Sequence, residues 1–260
     1  MLPQIVLPQP ATTTQNQPAP AMVLPGAENY LFAGCPELIG ATLHYARDEE
    51  IYGEAEQAEF VYKVVSGAVR TYKLLSDGRR QIGAFNLPGD LFGLESSRTH
   101  KLTAEAVTET VVLVFKRRTL EHFAMRNIEV ARQLWNLTAR NLDHAEEHML
   151  LLGRKTAAEK VAAFLLEMDE RMQPTGAISL PMTRRDIADY LGLTLETVSR
   201  VISRLEAEGV LELIAARQIR VVTDFWIDEM QNVVTGVIGS HDVPEVSASK
   251  CPTDGEHVCC

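Results

Sequence analysis

With 260 residues, of which 46% are hydrophobic, the chain can hold one large or two ordinary domains around a packed core. Its apolar runs fall short of the roughly 18 residues that cross a bilayer, and its N-terminus does not have the charged start, apolar centre and cleavage site of a signal peptide. We therefore expect a cytoplasmic protein that makes no contact with a membrane.

The formal net charge of -10 would argue against a nucleic-acid-binding protein if the acidic residues were evenly spread. They are not, because six arginines balance six carboxylates between residues 183 and 223. From residue 224 onward, seven carboxylates face the single basic residue Lys250. Much of the acidity therefore lies outside the arginine-bearing segment and does not decide what that segment binds.

The four cysteines are unevenly placed: Cys35 stands alone, whereas Cys251, Cys259 and Cys260 crowd the C-terminus. This spacing suits neither a disulfide framework nor a zinc site. Free thiols are the favoured interpretation, with metal capture by the C-terminal segment as the alternative. We expect no resident cofactor.

Residues 1–27 contain no charged side chain but six of the twelve prolines, so we predict a disordered N-terminal tail. Residues 28–118 instead contain short β-rich runs, such as YKVVSGAVRTYKLL, separated by glycines. Closely spaced strands with turn signals predict a small antiparallel barrel or sandwich. Within it, SDGRR at Ser76–Arg80 predicts a hairpin turn, because Asp-Gly supplies the positive φ that tight turns require.

Residues 119–153 predict a helical region in which hydrophobic residues recur every three or four positions. A long helix with a narrow apolar stripe is typical of a symmetric, coiled-coil-like dimer contact, and covering the chain's own β domain is the alternative. The stripe contains Thr138 and Ala145 together with the predicted dimer-interface residues Ile128, Ala131, Leu134, Trp135, Leu142 and Met149.

Residues 154–224 predict a winged helix-turn-helix domain, and residues 225–260 an acidic C-terminal tail. Gly153, Arg154 and Lys155 mark a hinge at the start of this domain. The next helix is predicted to be capped by Thr156 and to bury Val161, Phe164, Leu165 and Met168.

The segment TRRDIADYLGLTLETVSRVISRL then carries two short helices on either side of a tight turn. Thr183 caps the first helix, Gly192 allows the left-handed conformation that the turn needs, and Thr194 caps the second. VLELI and QIRVVT follow as a two-stranded wing. The predicted inner faces are Ile187, Ala188 and Leu191 in the first helix and Val198, Ile202 and Leu205 in the second.

The inner stripe of the second helix turns Glu196, Ser199, Arg200 and Ser203 outward. In this fold such a face enters the major groove. Arg200 can donate two hydrogen bonds to guanine O6 and N7, and Glu196 can accept one from cytosine N4. The alternatives are an acid favoured by the helix dipole and a solvated arginine.

Ser199 is the third predicted base contact, since its hydroxyl can meet a base edge and its side chain a thymine methyl group. Contacts to the DNA backbone are predicted for Arg184, Arg185, Thr194, Thr197 and Ser203. For the two arginines, a purely solvated role is the alternative.

Three strings, GDLFGLE, HMLLLGRKTAAEKVAAFLLEMDER and ETVSR, together resemble the cyclic-AMP receptor/fumarate-nitrate regulator (Crp/Fnr) family of bacterial transcription factors. The likeness runs from about residue 30 to 223 and is greatest to the FixK subgroup. It implies an α+β fold with an N-terminal β-roll, a long dimerisation helix and a C-terminal winged helix-turn-helix domain. It also implies a homodimer that binds double-stranded promoter DNA and recruits RNA polymerase.

The resemblance also implies a particular half-site. The fumarate-nitrate branch uses a Glu-x-x-Ser-Arg set, which falls on Glu196, Ser199 and Arg200, whereas the cyclic-AMP branch has glycine for the serine and an arginine where this chain has Leu195. The implied half-site is TTGAT rather than TGTGA. By the same likeness, the hairpin residues Ser76, Asp77, Gly78, Arg79 and Arg80 correspond to a polymerase contact, with a solvated turn as the alternative.

The departures from the family concern its effectors. Iron-sulfur members need three clustered cysteines near the N-terminus, where this chain has only Cys35. In the phosphate cassette, His100 and Lys101 fall near the arginine-serine position and Arg98 slightly earlier, which disfavours a cyclic nucleotide. We therefore expect an effector-free activator of low-oxygen or nitrogen-metabolism genes. A small anionic ligand on the β-roll is the alternative, while the lone histidines, such as His44 and His100, favour neither haem nor a metal-dependent enzyme.

Overall fold

The computed structural model of the protein describes residues 40–172 and 177–222. The predicted tails at 1–27 and 225–260 lie outside the described residues, as do Cys35, Cys251, Cys259 and Cys260. None of the described helices is both long and apolar enough to span a bilayer.

The first described part of the chain forms two four-stranded antiparallel sheets, with strand orders β1-β8-β3-β6 and β2-β7-β4-β5. Residues of both sheets, including Tyr62, Val69 and Val112, meet in one buried cluster, which confirms the predicted antiparallel sandwich. The strands are β1 (Ala41–Tyr45), β2 (Glu50–Tyr52), β3 (Phe60–Ser66), β4 (Val69–Leu74), β5 (Arg80–Asn86), β6 (Leu91–Phe92), β7 (Thr103–Ala106) and β8 (Thr110–Lys116).

Two helices follow where the sequence predicts a single helical region. Helix α1 (Arg117–Arg126) starts directly after β8, and α2 (Ile128–Arg154) starts after a break at Asn127. Asn127 is extended, with φ -127° and ψ 106°, and its side chain accepts hydrogen bonds from the backbone N–H groups of Glu129 and Val130. Asparagine is a favoured N-cap residue, so the break has a local cause.

Helix α2 ends at Arg154, Lys155 is extended, and α3 (Ala157–Met172) follows, so the break between the helices falls at the end of the predicted hinge. The Thr156 hydroxyl accepts from the Glu159 N–H at 3.4 Å, while the Glu159 carboxylate accepts from the Thr156 N–H at 2.5 Å. This reciprocal pair confirms Thr156 as the cap. The predicted inner face is also confirmed, because Val161, Phe164, Leu165 and Met168 are all buried.

Helices α4 (Arg184–Leu191) and α5 (Leu195–Ala207) are followed by the wing strands β10 (Leu211–Ala215) and β11 (Gln218–Val221). The wing has a third strand, because β9 (Ile178–Ser179) pairs with β11 in an antiparallel register. A two-residue strand has no periodicity that a sequence pattern could reveal, so the two-stranded prediction was incomplete.

The antiparallel sandwich of β1 to β8, called the β-roll below, shares one buried apolar cluster with α3 and the helix-turn-helix part that follows it. Phe85 of β5 lies with its ring centroid 6.2 Å from that of Phe164 in α3 and 5.3 Å from that of Tyr190 in α4. Ile82, Leu87 and Val107 of the β-roll belong to the same cluster. Because these side chains leave water together, their burial holds the two parts of the chain against each other.

The turn between α4 and α5 depends on Gly192, which adopts φ 63° and ψ 36° as predicted. Any residue with a Cβ atom is strained there, so Gly192→Ala should lower the free energy of unfolding by about 1 to 2 kcal/mol, measured by urea denaturation. Gly153→Ala is the matched control, because Gly153 is helical and its Cβ atom would meet nothing within 4 Å. That change should instead stabilise the protein by roughly 0.5 to 1 kcal/mol.

A cavity of about 350 Å³ lies where α2, α3 and α4 meet, and His144, Glu147, Lys155, Glu167 and Tyr190 are among its lining residues. His148 also lines it and is buried, with its ring edge-on to that of Tyr190 at 4.0 Å between centroids. Neither of its ring nitrogens has a hydrogen-bond partner among the described residues. Burial, and to a smaller extent His144, lowers the pKa of His148 from its ordinary value of 6.5.

This environment predicts a pH dependence of stability. As the pH falls below about 6.5, the unfolded chain takes up a proton at residue 148 that the folded chain refuses, so the free energy of unfolding should fall by up to about 1.4 kcal/mol per pH unit. Urea denaturation of a His148→Phe variant at pH 7.5 and 5.5 should show a smaller loss than the wild type. His44→Phe, at an exposed position, is the control; equal pH slopes in His148→Phe and the wild type would contradict the prediction.

Candidate nucleic-acid interface

The first helix of the motif starts at a complete capping box. The Thr183 hydroxyl accepts from the Asp186 N–H at 3.1 Å, and the Asp186 carboxylate accepts from the Thr183 N–H at 2.9 Å. Arg185 is exposed and Arg184 half-buried in the first turn, and neither pairs with a carboxylate among the described residues. The two arginines that are predicted to contact the DNA backbone therefore lie at the positively polarised N-terminal end of α4.

The second helix is capped as predicted by Thr194, whose hydroxyl accepts from the Thr197 N–H at 3.1 Å. The hydroxyl groups of these two residues also lie 2.8 Å apart. Thr194 is exposed and Thr197 half-buried. The hydrogen bonds of Thr194 and Thr197 thus fix the start of α5.

The two faces of α5 differ as the sequence predicts. Val198, Ile202 and Leu205 are buried, while Glu196, Arg200 and Ser203 are exposed and Ser199 is half-buried. Glu196 and Arg200 lie one turn apart on the outer face.

Neither Glu196 nor Arg200 forms an ion pair within the described part of the chain. In contrast, the Arg204 guanidinium binds Glu208 at 2.6 Å, and that of Arg220 in the wing binds Glu212 at 2.5 Å. Leu195, the first residue of α5, is 46% exposed beside Glu196. The exposed face of α5 therefore includes a carboxylate, a guanidinium and an apolar side chain close together.

The predicted dimer stripe is divided between two environments. Ile128, Trp135, Leu142 and Met149 recur every seventh residue on α2 and are 86%, 74%, 58% and 65% exposed. Leu134, by contrast, is half-buried against the chain's own β-roll, and Ala131 is also half-buried. Covering of the chain's own β domain is thus observed for Leu134, whereas the exposed series leaves the dimer contact as a prediction.

The predicted hairpin at Ser76–Arg80 is present between β4 and β5, with Gly78 at φ 82°. The Arg79 guanidinium binds Asp77 at 2.7 Å, and both side chains are exposed. Arg80 differs, because its guanidinium is directed towards α4 and pairs with Asp186 at 2.6 Å and Asp189 at 2.9 Å.

A cavity of about 530 Å³, called the β-roll cavity below, lies between the β-roll and helices α2 and α3, and its lining includes Asn86, Glu95, Arg140 and Arg171. Arg171 is already bound to Asp90 and Glu167. The three cations considered for an anionic ligand, Arg98, His100 and Lys101, are not among the described residues that line this cavity.

His100 is buried and stacked on Tyr52 with 3.6 Å between ring centroids. Its burial, only partly offset by Glu95, lowers its pKa and therefore favours the neutral form. Within the described ranges, no group of three or more histidine, cysteine, aspartate or glutamate residues is arranged to hold a metal ion.

Two family models match the chain, that of the cyclic nucleotide-binding domain over residues 42–127 and that of the Crp-like helix-turn-helix domain over residues 159–224. The nitrogen fixation regulation protein FixK of Azorhizobium caulinodans is 47% identical over 186 residues, covering 70% of this chain and 75% of that protein. FixK of Rhizobium meliloti is 43% identical over 178 residues, covering 68% and 81%.

The solved structure of FixK2 from Bradyrhizobium japonicum superposes with a TM-score of 0.72 at 59% sequence identity, covering 75% of this chain and 98% of that one. The transcriptional activator FnrL of Cereibacter sphaeroides is 37% identical over 190 residues, covering 70% of this chain and 76% of that protein. The chain therefore belongs to the Crp/Fnr family of helix-turn-helix transcription regulators, in which it resembles the FixK proteins.

Proposed function

We propose that this protein is a homodimeric transcription activator that binds palindromes of TTGAT half-sites. The observation that carries the proposal is the exposed pair Glu196 and Arg200, one turn apart and without ion-pair partners among the described residues, on a helix whose other face is buried. Because a free guanidinium can donate to guanine and a free carboxylate can accept from cytosine, this pair has the chemistry of base readout.

The remaining DNA contacts follow from position on the two helices. Ser199 meets the base next to that read by Arg200, whereas Arg184, Arg185 and Ser203 contact phosphates. The hydroxyl groups of Thr194 and Thr197 approach the same backbone from the start of α5. Two half-sites about 34 Å apart match the two-fold axis of a dimer formed along α2.

The protein acts in the cytoplasm at genes of nitrogen fixation or low-oxygen metabolism and recruits RNA polymerase. The gene class is suggested by the relatives, which are named for nitrogen fixation regulation and transcriptional activation. The exposed hairpin tip at Ser76, Asp77, Gly78 and Arg79 is the proposed polymerase contact, and Arg80 is excluded from it by its ion pairs with α4.

The activator works without a small-molecule effector. His100 is buried and favoured in its neutral form, so it is a poor ligand for a phosphate, and the cations predicted for an anion lie outside the lining of the β-roll cavity. The cavity itself supports one alternative, a small ligand that gates DNA binding through Arg140.

A gel-shift experiment with the purified protein tests the proposal. Palindromes of TTGAT and of TGTGA should be compared at one fixed salt concentration, with and without cyclic nucleotides and reductant. We expect specific binding to the TTGAT palindrome and not to the TGTGA palindrome, in each of the four combinations of cyclic nucleotide and reductant. Preference for TGTGA would overturn the half-site, and binding that requires a nucleotide would favour the effector-gated alternative.

A further inference from the structure

The first turn of α4 is bound directly to the β-roll by ion pairs. One carboxylate oxygen of Asp186 completes the capping box with Thr183, and the other accepts hydrogen bonds from Arg70 at 3.3 Å and from Arg80 at 2.6 Å. The Arg80 Nε–H also donates to Asp189, one turn further along α4, at 2.9 Å. Two arginines of the β4–β5 hairpin thus hold two carboxylates of the DNA-binding motif.

The arginines are themselves fixed on the β-roll side. Arg70 is 6% exposed and its guanidinium also binds Asp48, at 2.9 Å, and Glu105 of β7. Although burial would raise the pKa of Asp186, the hydrogen bonds from Thr183 and the charges of Arg70 and Arg80 lower it, so this carboxyl group stays ionised. Arg70 and Asp186 are buried and paired, although Arg70 Nε has no hydrogen-bond partner among the described residues. Ion pairs of this kind favour one geometry, because a buried charge is costly when its partner moves away.

The position of the cluster links it to DNA binding. Asp186 lies in the same helical turn as Arg184 and Arg185, and α4 packs on α5 through the shared buried cluster. In this arrangement the outer face of α5 remains exposed. The ion pairs of Asp186 with the two arginines therefore act together with the shared apolar cluster in fixing α5 relative to the β-roll.

We propose that Arg70 and Arg80 are positioning residues, which hold the helix-turn-helix domain against the β-roll in the orientation that reads DNA. Their ion pairs stabilise, within the chain itself, the domain orientation that a bound effector would otherwise have to stabilise. This inference rests on the proposed function, since it explains how the same α5 face reaches DNA without a ligand.

The hairpin offers a matched pair of variants, because Arg79 and Arg80 are adjacent and carry the same charge. Arg79 is exposed and, among the described residues, its guanidinium pairs with Asp77 of its own turn, whereas Arg80 binds α4. Arg80→Ala should weaken binding to the TTGAT palindrome about tenfold, while Arg79→Ala should change it less than about twofold. Arg80→Lys should recover part of the affinity, because a lysine restores the charge without the two-pronged geometry.

A double-mutant cycle separates positioning from folding. Arg80→Ala, Asp189→Asn and the double variant should be compared in DNA affinity and in thermal unfolding. The two substitutions should be non-additive in affinity, with the double variant binding about as well as the weaker single variant. A purely structural role would instead lower the unfolding temperature and leave the affinity of the folded protein unchanged.

Amide hydrogen exchange in the free protein gives a readout that does not need DNA. Arg80→Ala should speed exchange in the first turn of α4, at residues 184–187, relative to Arg79→Ala and the wild type. Unchanged exchange in Arg80→Ala would overturn the inference, and so would unchanged DNA affinity. Tighter DNA binding by Arg80→Ala would also overturn it, because the ion pairs would then stabilise an arrangement that inhibits binding. If the wild-type protein ignores the TTGAT palindrome, the proposed function fails, and the exchange experiment alone decides whether the ion pairs hold the two domains together.

Discussion

Replacing Arg200 with alanine is expected to weaken binding to the TTGAT palindrome by about 1 to 3 kcal/mol per half-site and to relax the preference for guanine at the paired position. The reason is the geometry of α5, which exposes the guanidinium on its outer face without a carboxylate partner in the described ranges. Fluorescence anisotropy with the palindrome and with single-base variants, at one salt concentration, measures both effects.

Arg204→Ala is the matched control for this experiment. Arg204 lies one turn beyond Arg200 on the same helix, is exposed, and is held by Glu208 at 2.6 Å. Both substitutions remove one positive charge from α5, so a general electrostatic effect would weaken binding equally in the two variants. Equal losses, or unchanged binding by Arg200→Ala, would contradict the assignment of Arg200 as a base-reading residue.

Glu196 distinguishes base reading from non-specific attraction. A carboxylate near phosphates is repelled by them, so Glu196→Ala should leave binding to random DNA as strong or slightly stronger. It should at the same time reduce discrimination at the cytosine whose N4 amino group donates a hydrogen bond to Glu196. The opposite pattern, a loss of binding to all DNA, would indicate that Glu196 supports the fold of α5 through the helix dipole.

The local geometry of the helix-turn-helix motif could be predicted from the sequence because each signal acts over a few residues. Thr183, Gly192 and Thr194 fix the start of α4, the turn and the start of α5 by hydrogen bonds and by one left-handed backbone conformation. Once these are placed, the apolar spacing decides which side chains are buried. The break at Asn127 carried a signal of the same kind, since asparagine is a favoured cap and the apolar stripe begins directly after it, at Ile128.

Contacts between distant segments could not be predicted in this way. Arg70 and Asp186 are separated by 116 positions, and nothing near either residue indicates that they meet. The sequence predicted Arg80 as part of a hairpin facing polymerase, and the turn itself was confirmed, yet the folded chain directs this side chain to α4. The close approach of Phe85 to Tyr190 arises from the same packing of the two parts. The interdomain arrangement is therefore a tertiary property.

Leu142→Glu is expected to separate the dimer and thereby to remove binding to the palindrome. Leu142 lies in the middle of α2, is 58% exposed, and belongs to the series Ile128, Trp135, Leu142 and Met149 at seven-residue spacing. In a symmetric helix pair the two copies of such a residue face each other, so the substitution places two carboxylates in an apolar seam, at a cost of several kcal/mol. Analytical ultracentrifugation over a range of concentrations should show a monomer where the wild type sediments as a dimer.

DNA binding should fall further than the loss of one contact would explain. A dimer binds its second half-site at the high effective concentration created by the first, which contributes roughly 10² to 10⁴ in affinity. The Leu142→Glu protein should therefore bind a palindrome no better than a single half-site, although its α5 face is intact. Asn136→Glu is the control, because Asn136 is exposed on the same helix but lies outside the seven-residue series. If Leu142→Glu sediments as a dimer and still prefers the palindrome, the exposed stripe of α2 is not the dimer interface, and the half-site spacing must be derived from another surface.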